Sequence, residues 1–270
     1  MLRTLIVLLV TLFPTIAQAT KPKPTSDPLK VYVTYNHENF IESSRSYKVG
    51  WTLFEQAATK HKIKLNIINA PWATSLELLS QSKIDSAFLA FYSADRAEKI
   101  SYSVPVAYDS ISVYKSSKKM PPSNFKEATV GVHKGSIHAE LAKSMNFKAT
   151  YESASRPELH RMLNVGRIDY ILENESLINS VCFNATGTTE KGCLSSVGTP
   201  IKHSSLHVIF NKNSKRVNDL MTTINREIIK NHLNDETKAV FISSGYSANE
   251  YLIWQELMTN HLRTQLDTGE

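Results

Sequence analysis

A short pattern occurs twice in this chain and constrains its fold more than any other feature. Residues 76–90 read LELLSQSKIDSAFLA, and residues 159–173 read LHRMLNVGRIDYILE. Each opens on apolar residues at helical spacing: Leu76 and Leu79 in the first copy, Leu159, Met162 and Leu163 in the second. Each continues with a polar break, a basic residue, Ile-Asp and an apolar run. A helix feeding a buried strand is half of a β-α-β unit. One such unit in each half of the chain predicts two similar α/β lobes, with any site in the crevice between them. The shared Asp85 and Asp169 fall at the helix-to-strand turn, which assigns them to the scaffold.

The rest of the chain extends that alternation. Strand-like runs are expected at 29–34, 64–68 and 84–88, with helices at 50–61 and 72–81 between them. After a strand at 111–114 the alternation restarts: strands 128–133, 149–152 and 168–172, helices 136–145 and 158–165. Strand 206–210 and the helices 217–232 and 249–266 close the chain. The expected fold class is therefore α/β, two-lobed, each lobe a mostly parallel sheet flanked by helices. Two crossing points, near residues 109 and 205, make lobe one discontinuous. Residues 29–108 and 206–270 would build it, and residues 109–205 would build lobe two.

The ends and the charge narrow the function classes. Residues 1–19 carry a basic n-region (Arg3), an apolar core and Ala17-Gln18-Ala19, which together read as a cleavable signal peptide. Residues 20–28, TKPKPTSDP, read as a flexible leader. The mature protein is expected in the periplasm, with no membrane insertion after cleavage. The net charge of +6 is dispersed. Its densest basic spot is Ser116-Ser117-Lys118-Lys119, beside Pro121-Pro122, and no basic stripe with interleaved aromatics is visible, so no nucleic-acid partner is expected. No GxSxG, HExxH, P-loop or GxGxxG is present, and the nine His show no zinc spacing. No cofactor and no metal are expected. Cys182 and Cys193 form an even, closely spaced pair around a polar segment, which reads as a disulfide in an oxidising compartment.

Five short motifs, in order, resemble family 3 solute-binding proteins, the amino-acid-binding group of bacterial periplasmic receptors. Val130-Gly131-Val132-His133-Lys134-Gly135-Ser136 is similar to that family's strand–GxxxGT/S–helix start. Gln81 to Asp85 resembles its helix-end GxID, and Gly166-Arg167-Ile168-Asp169 the equivalent GRLD of lobe two. Ser93-Ala94-Asp95-Arg96 followed by Ile100-Ser101-Tyr102-Ser103-Val104-Pro105 resembles its TxxR…IxFSxPY. The strand LHVIF, 206–210, completes the set. The resemblance covers essentially the whole mature chain. It implies a hinged Venus-flytrap fold that closes on a small polar ligand, with an ABC permease or a membrane sensor as partner and a monomeric state.

The resemblance also implies site residues. Arg96 takes the place of the family's ligand-carboxylate clamp, a role that suits a guanidinium at the carboxyl edge of a parallel sheet. Ser136 opens a helix beside His133, where free N–H groups favour an anion. Tyr35 and Phe40 follow the first strand, in the loop where the family places an aromatic wall, and Trp72 begins a helix near the same cleft. The sequence departs from the family at two places. Phe88, Leu89, Phe91 and Tyr92 stand where small hydroxyl residues are usual. In Leu172-Glu173-Asn174-Glu175, Asn174 falls where an ammonium-pairing Asp is common. Glu173 could supply that charge instead, and strand alternation lets only one of Glu173 and Asn174 face the cleft. The implied ligand is small, polar and carboxylate-bearing, an amino acid or a relative, with its carboxylate toward lobe one and a donor group toward lobe two. Two other functions fit the same scaffold: an enzyme (a dehydratase or cell-wall lyase) and an orphan regulatory domain that binds a partner protein.

Overall fold

The computed structural model describes residues 27–34, 37–116, 120–178, 182–184 and 191–268. Residues 1–19, read above as a signal peptide, most of the expected leader, Tyr35, Lys118 and Lys119 lie outside them.

The first half begins with β1 (Leu29–Val33), α1 (His37–Ser43), α2 (Arg45–Lys60), β2 (Leu65–Asn69), α3 (Trp72–Ser80) and β3 (Ser86–Phe91). α4 (Ala94–Ala97), β4 (Ile100–Tyr102) and the long β5 (Ala107–Ser116) follow. The second alternation is β6 (Thr129–His133), α5 (Ile137–Ser144), β7 (Ala149–Ser153), α6 (Arg156–Asn164), β8 (Tyr170–Asn174) and α7 (Glu175–Ile178). Then come β9 (Cys182–Asn184), β10 (Lys191–Ser196), the long β11 (Lys202–Asn211), α8 (Lys215–Asn231), α9 (Asp235–Ser243) and α10 (Ala248–Thr268).

The strands form one curled sheet in the order β2-β1-β3-β11-β5-β8-β6-β7. Its two ends repeat each other. β1 lies between β2 and β3, and β6 between β7 and β8, with all four pairings parallel. The long antiparallel strands β5 and β11 join the two groups. Four apolar clusters cover the two faces at each end. On β3, Phe88 and Phe91 enter one cluster while Ala87 and Ala90 enter the other. On β8, Tyr170 and Leu172 enter a third while Ile171 enters the fourth. This alternation across a pleated sheet is what the near-continuous apolar runs encode.

The repeated pattern folds the same way twice. α3 ends in a Schellman motif, with Ser82 N–H donating to Leu79 O (2.9 Å) and Lys83 N–H to Leu78 O (2.9 Å). α6 ends likewise, with Gly166 N–H donating to Leu163 O (3.1 Å) and Arg167 N–H to Met162 O (2.8 Å). The turn residues Ser82 (φ 58°) and Gly166 (φ 74°) both occupy the left-handed region. Asp85 then accepts the backbone N–H of Lys30 in β1 at 3.1 Å and pairs with Arg216 at 2.6 Å. Asp169 accepts the backbone N–H (2.9 Å) and hydroxyl (2.8 Å) of Thr129 in β6. Each aspartate thus ties its own strand to the neighbouring parallel strand, in agreement with the scaffold assignment.

α2 and α6 start earlier than periodicity alone predicts, because their caps lie outside the apolar stripe. Ser44 caps α2 by accepting Tyr47 N–H, and Ser155 caps α6 by accepting Glu158 N–H. α1, β4, α7, β9, β10 and α9 carry too few apolar repeats to stand out in the sequence. No helix among the described residues is long and apolar enough to cross a membrane.

Candidate functional site

The carboxyl ends of the parallel strands from both groups converge on one cleft, the place where open α/β sheets bind ligands. β3 leads into α4 and Arg96. β6 delivers His133 and, through the next turn, Ser136 and His138. β7 leads into Arg156, and β8 ends on Asn174. The start of α2 adds Ser44, Ser46 and Tyr47, and α3 begins on Trp72. All of these residues line a cavity of about 90 Å³, with Phe40, Phe88, Leu89, Phe91 and Leu177 among its apolar walls.

Arg96 is half-buried. Its Nη2 donates to Phe91 O at 3.2 Å, and its Nε is buried with no hydrogen-bond partner among the described residues. A guanidinium held by one carbonyl and short of an acceptor is ready to bind an anion. Leu89 reaches the cavity because β3 carries a bulge there: Phe88 pairs with Val208 and Ala90 with His207, leaving Leu89 unopposed.

The opposite wall is built around an ion pair. Arg156 Nε donates to Glu173 Oε2 at 3.0 Å, and Glu173 Oε1 accepts the Asn174 N–H at 3.0 Å. Glu173 is only 3% exposed. Burial pushes its pKa up, but Arg156 foremost, with the Asn174 N–H, brings it below the ordinary carboxylate value. It stays ionised, and its charge is spent on Arg156. His133 is pushed down to about 4, by burial first and by Arg156 second, and its Nε2 lies 3.1 Å from Ala154 O. Burial also lowers His138 and His160. These imidazoles are neutral at neutral pH. His138 Nε2 lies 2.8 Å from Asn174 Oδ1, and its Nδ1 lies 3.0 Å from Ser136 Oγ.

Several contacts cross the cleft. Ser93 Oγ donates to Glu140 Oε1 at 3.3 Å near the rim. At the base, Ser44 and Ser46 of α2 meet Ser176 of α7 at 2.9 and 2.8 Å, and Ser46 donates to Asp109 at 2.9 Å. Asp109 accepts from Ser110 N–H at 2.8 Å, and from the backbone N–H and hydroxyl of Ser176.

The structure brings Trp72, Phe88, Phe91, Arg96, His133, Ser136 and Asn174 together around one cavity. Glu173 is the exception. It precedes Asn174 on β8, its side chain lies against Arg156, and it is absent from the cavity lining, so it is not free to receive an ammonium. Ser136 caps α5 by position, but its hydroxyl makes no cap hydrogen bond. Sequence reasoning missed Arg156 and His138. The signal for Arg156 was present: Ser155-Arg156-Pro157-Glu158 is a helix start directly after a strand. Arg156 thus follows β7 much as Arg96 follows β3. For the cysteines, the backbone register sets Cys193 opposite Cys182. Among the described residues no group of His, Cys, Asp and Glu is placed to hold a metal.

Solved structures share this architecture. The ligand-binding core of GluR0 from Nostoc punctiforme, in complex with L-glutamate, aligns over 81% of this chain and 99% of its own, at TM-score 0.62 and 15% identity. AbpA of Streptococcus pneumoniae, an amino acid ABC transporter substrate-binding protein bound to L-arginine, aligns over 82% and 97%, at TM-score 0.61 and 16% identity. The ancestral amino acid-binding protein AncCDT-1, a precursor of cyclohexadienyl dehydratase, aligns over 81% and 96%, at TM-score 0.62 and 14% identity. The fold is therefore the two-lobed fold of periplasmic binding proteins. No family model matches the sequence, and no curated protein matches it in sequence.

Proposed function

We propose that this chain is a periplasmic solute-binding protein that closes on a small carboxylate-bearing ligand, for ABC-type uptake or for sensing. The observation that carries this reading is Arg96, whose buried Nε lacks an acceptor among the described residues at the wall of a cavity between the two ends of the sheet. In this reading residues 29–108 and 206–270 form lobe one, residues 109–205 form lobe two, and β5 and β11 are the hinge. The mature chain acts as a monomer after loss of residues 1–19. Trp72, Phe88 and Phe91 cover the ligand's apolar part. Neighbours of the same fold that bind L-glutamate and L-arginine support a small-molecule ligand.

Thermal unfolding against a library of amino acids and small organic acids tests this. A ligand present at 100 times its Kd adds about 2.7 kcal/mol of stability. The expected result is a shift with at least one carboxylate-bearing compound, lost in Arg96→Ala. A shift that survives Arg96→Ala would overturn the clamp, and no shift with any compound would overturn the receptor reading.

A further inference from the structure

The two walls of the cavity carry different kinds of charge, and that difference bears on the ligand. An amino acid presents a carboxylate and an ammonium close together. An ammonium in a cavity shielded from water requires a carboxylate partner or a set of free acceptors. Among the described residues, none that lines this cavity is Asp or Glu. The nearest buried acid of the second wall, Glu173, is held at 3.0 Å by Arg156. Asp109 receives four hydrogen bonds from Ser46, Ser110 and Ser176 at the cleft base. Asn174 Oδ1 lies against His138 Nε2, so its amide NH2 is the group it has left to offer.

Donors, in contrast, are present. Arg156 lines the cavity with a side chain 25% exposed, and only its Nε is engaged with Glu173. Its two terminal nitrogens make no hydrogen bond among the described residues. Glu173 therefore orients Arg156 and leaves its outer donors for a guest. A single arginine fixed from behind by a buried carboxylate is a preorganised seat for an oxygen acceptor. Placing an ammonium beside it would set like charges together.

From these residues we infer that the ligand is a small organic acid without an ammonium group, its carboxylate on Arg96 and an oxygen acceptor at its far end on Arg156 and the Asn174 amide. This rests on the receptor reading and refines it: lobe two selects against amino acids instead of binding their ammonium.

Matched acids that differ only at the amine decide the point. Titration calorimetry of the wild-type protein would compare succinate with L-aspartate, and glutarate and 2-oxoglutarate with L-glutamate. The expected result is that at least one amine-free acid binds about tenfold or more tightly than its amino counterpart, the scale of one charge-assisted hydrogen bond. Equal or tighter binding of the amino acids would overturn the inference while leaving the receptor reading intact. No binding by any compound would sink both. A second variant probes the seat itself. Arg156→Gln with Glu173→Gln removes both charges together, so no buried carboxylate is stranded. It should weaken the amine-free acid about tenfold or more. Unchanged affinity for the longer acid would show that Arg156 holds nothing. Should the double variant not fold, the wild-type ranking alone decides.

Discussion

Ser176 donates both its backbone N–H, at 3.3 Å, and its hydroxyl to the carboxylate of Asp109. Ser176 belongs to α7, which follows the second β-α-β-α-β unit, and Asp109 lies on β5, one of the two strands joining the halves. Ser46 of α2 donates to the same carboxylate at 2.9 Å. One buried acid thus receives hydroxyls from both halves of the molecule at the base of the cleft.

Burial pushes the Asp109 carboxyl up from 3.8 to about 6, against the opposing pull of its hydrogen bonds. The sign follows from linkage. Between these values the folded protein holds a proton that the unfolded chain has released, so stability falls as pH rises through the window. The full effect is roughly 3 kcal/mol at most. His133 and His207, pushed down to about 4 and about 3, act oppositely: their contribution is lost as pH falls below 6.5. The comparison of Asp109→Asn with wild type isolates the aspartate. The variant should gain on wild type as pH rises from 4 to 7 in urea unfolding. A pH-independent difference would place the carboxyl at its ordinary pKa.

Gly131 sits in β6 under α6. A Cβ there would come within 2.5 Å of Ile168 Cδ1 and 3.0 Å of Leu159 Cδ2. Both contacts are buried. Gly131→Ala should therefore cost about 1–3 kcal/mol in denaturant unfolding, the usual penalty of overpacking. A variant as stable as wild type would show that Ile168 and Leu159 can give way at no cost.

Ser82 and Gly166 occupy the same turn in the two copies of the repeated pattern, both with positive φ. A side chain in that region costs about 1–2 kcal/mol. Ser82 also accepts a hydrogen bond from Asn213 at 2.9 Å on the surface, which offsets part of the gain. Ser82→Gly is expected to raise stability by about 0.5 kcal/mol. Destabilisation by the same amount would mean that the Asn213 contact outweighs the backbone relief.

Cys193 stands opposite Cys182 in the β9–β10 ladder. Directly opposed residues of an antiparallel pair have Cα atoms about 4.5–5.5 Å apart, within the span a disulfide accepts. Unfolded, non-reduced protein should show no titratable thiol, and two after reduction, with a loss of roughly 3 kcal/mol or less. Two thiols before reduction would exclude the bridge.

Much of this architecture is legible in the sequence because it is periodic. The repeated helix–Ile-Asp pattern marks both parallel units, and the apolar runs of β3, β8 and β11 mark buried strands. What periodicity cannot show are contacts between distant positions. Glu173 reads as a candidate for the ligand because it is acidic and close to Asn174. Only the fold reveals that Arg156, at the start of α6, has claimed it. Arg156 itself looks like one more charged residue at a helix start, a common place for solvated side chains. The elements missed, such as α1, α7 and α9, are short or weakly amphipathic, so their tertiary contacts decide them.

The position of β11 has a consequence in time. It lies between β3 and β5, although both were made at least eighty residues earlier, counting from Ser116 to Lys202. A chain emerging from the ribosome can zip β6, β7 and β8 together by itself. β3 and β5, however, must wait with open hydrogen-bonding edges until Asn211 has passed. Unpaired edges of that kind recruit other strands. The first half is therefore the part of the nascent protein most in need of an escort, and the last strand to arrive is the one that releases it.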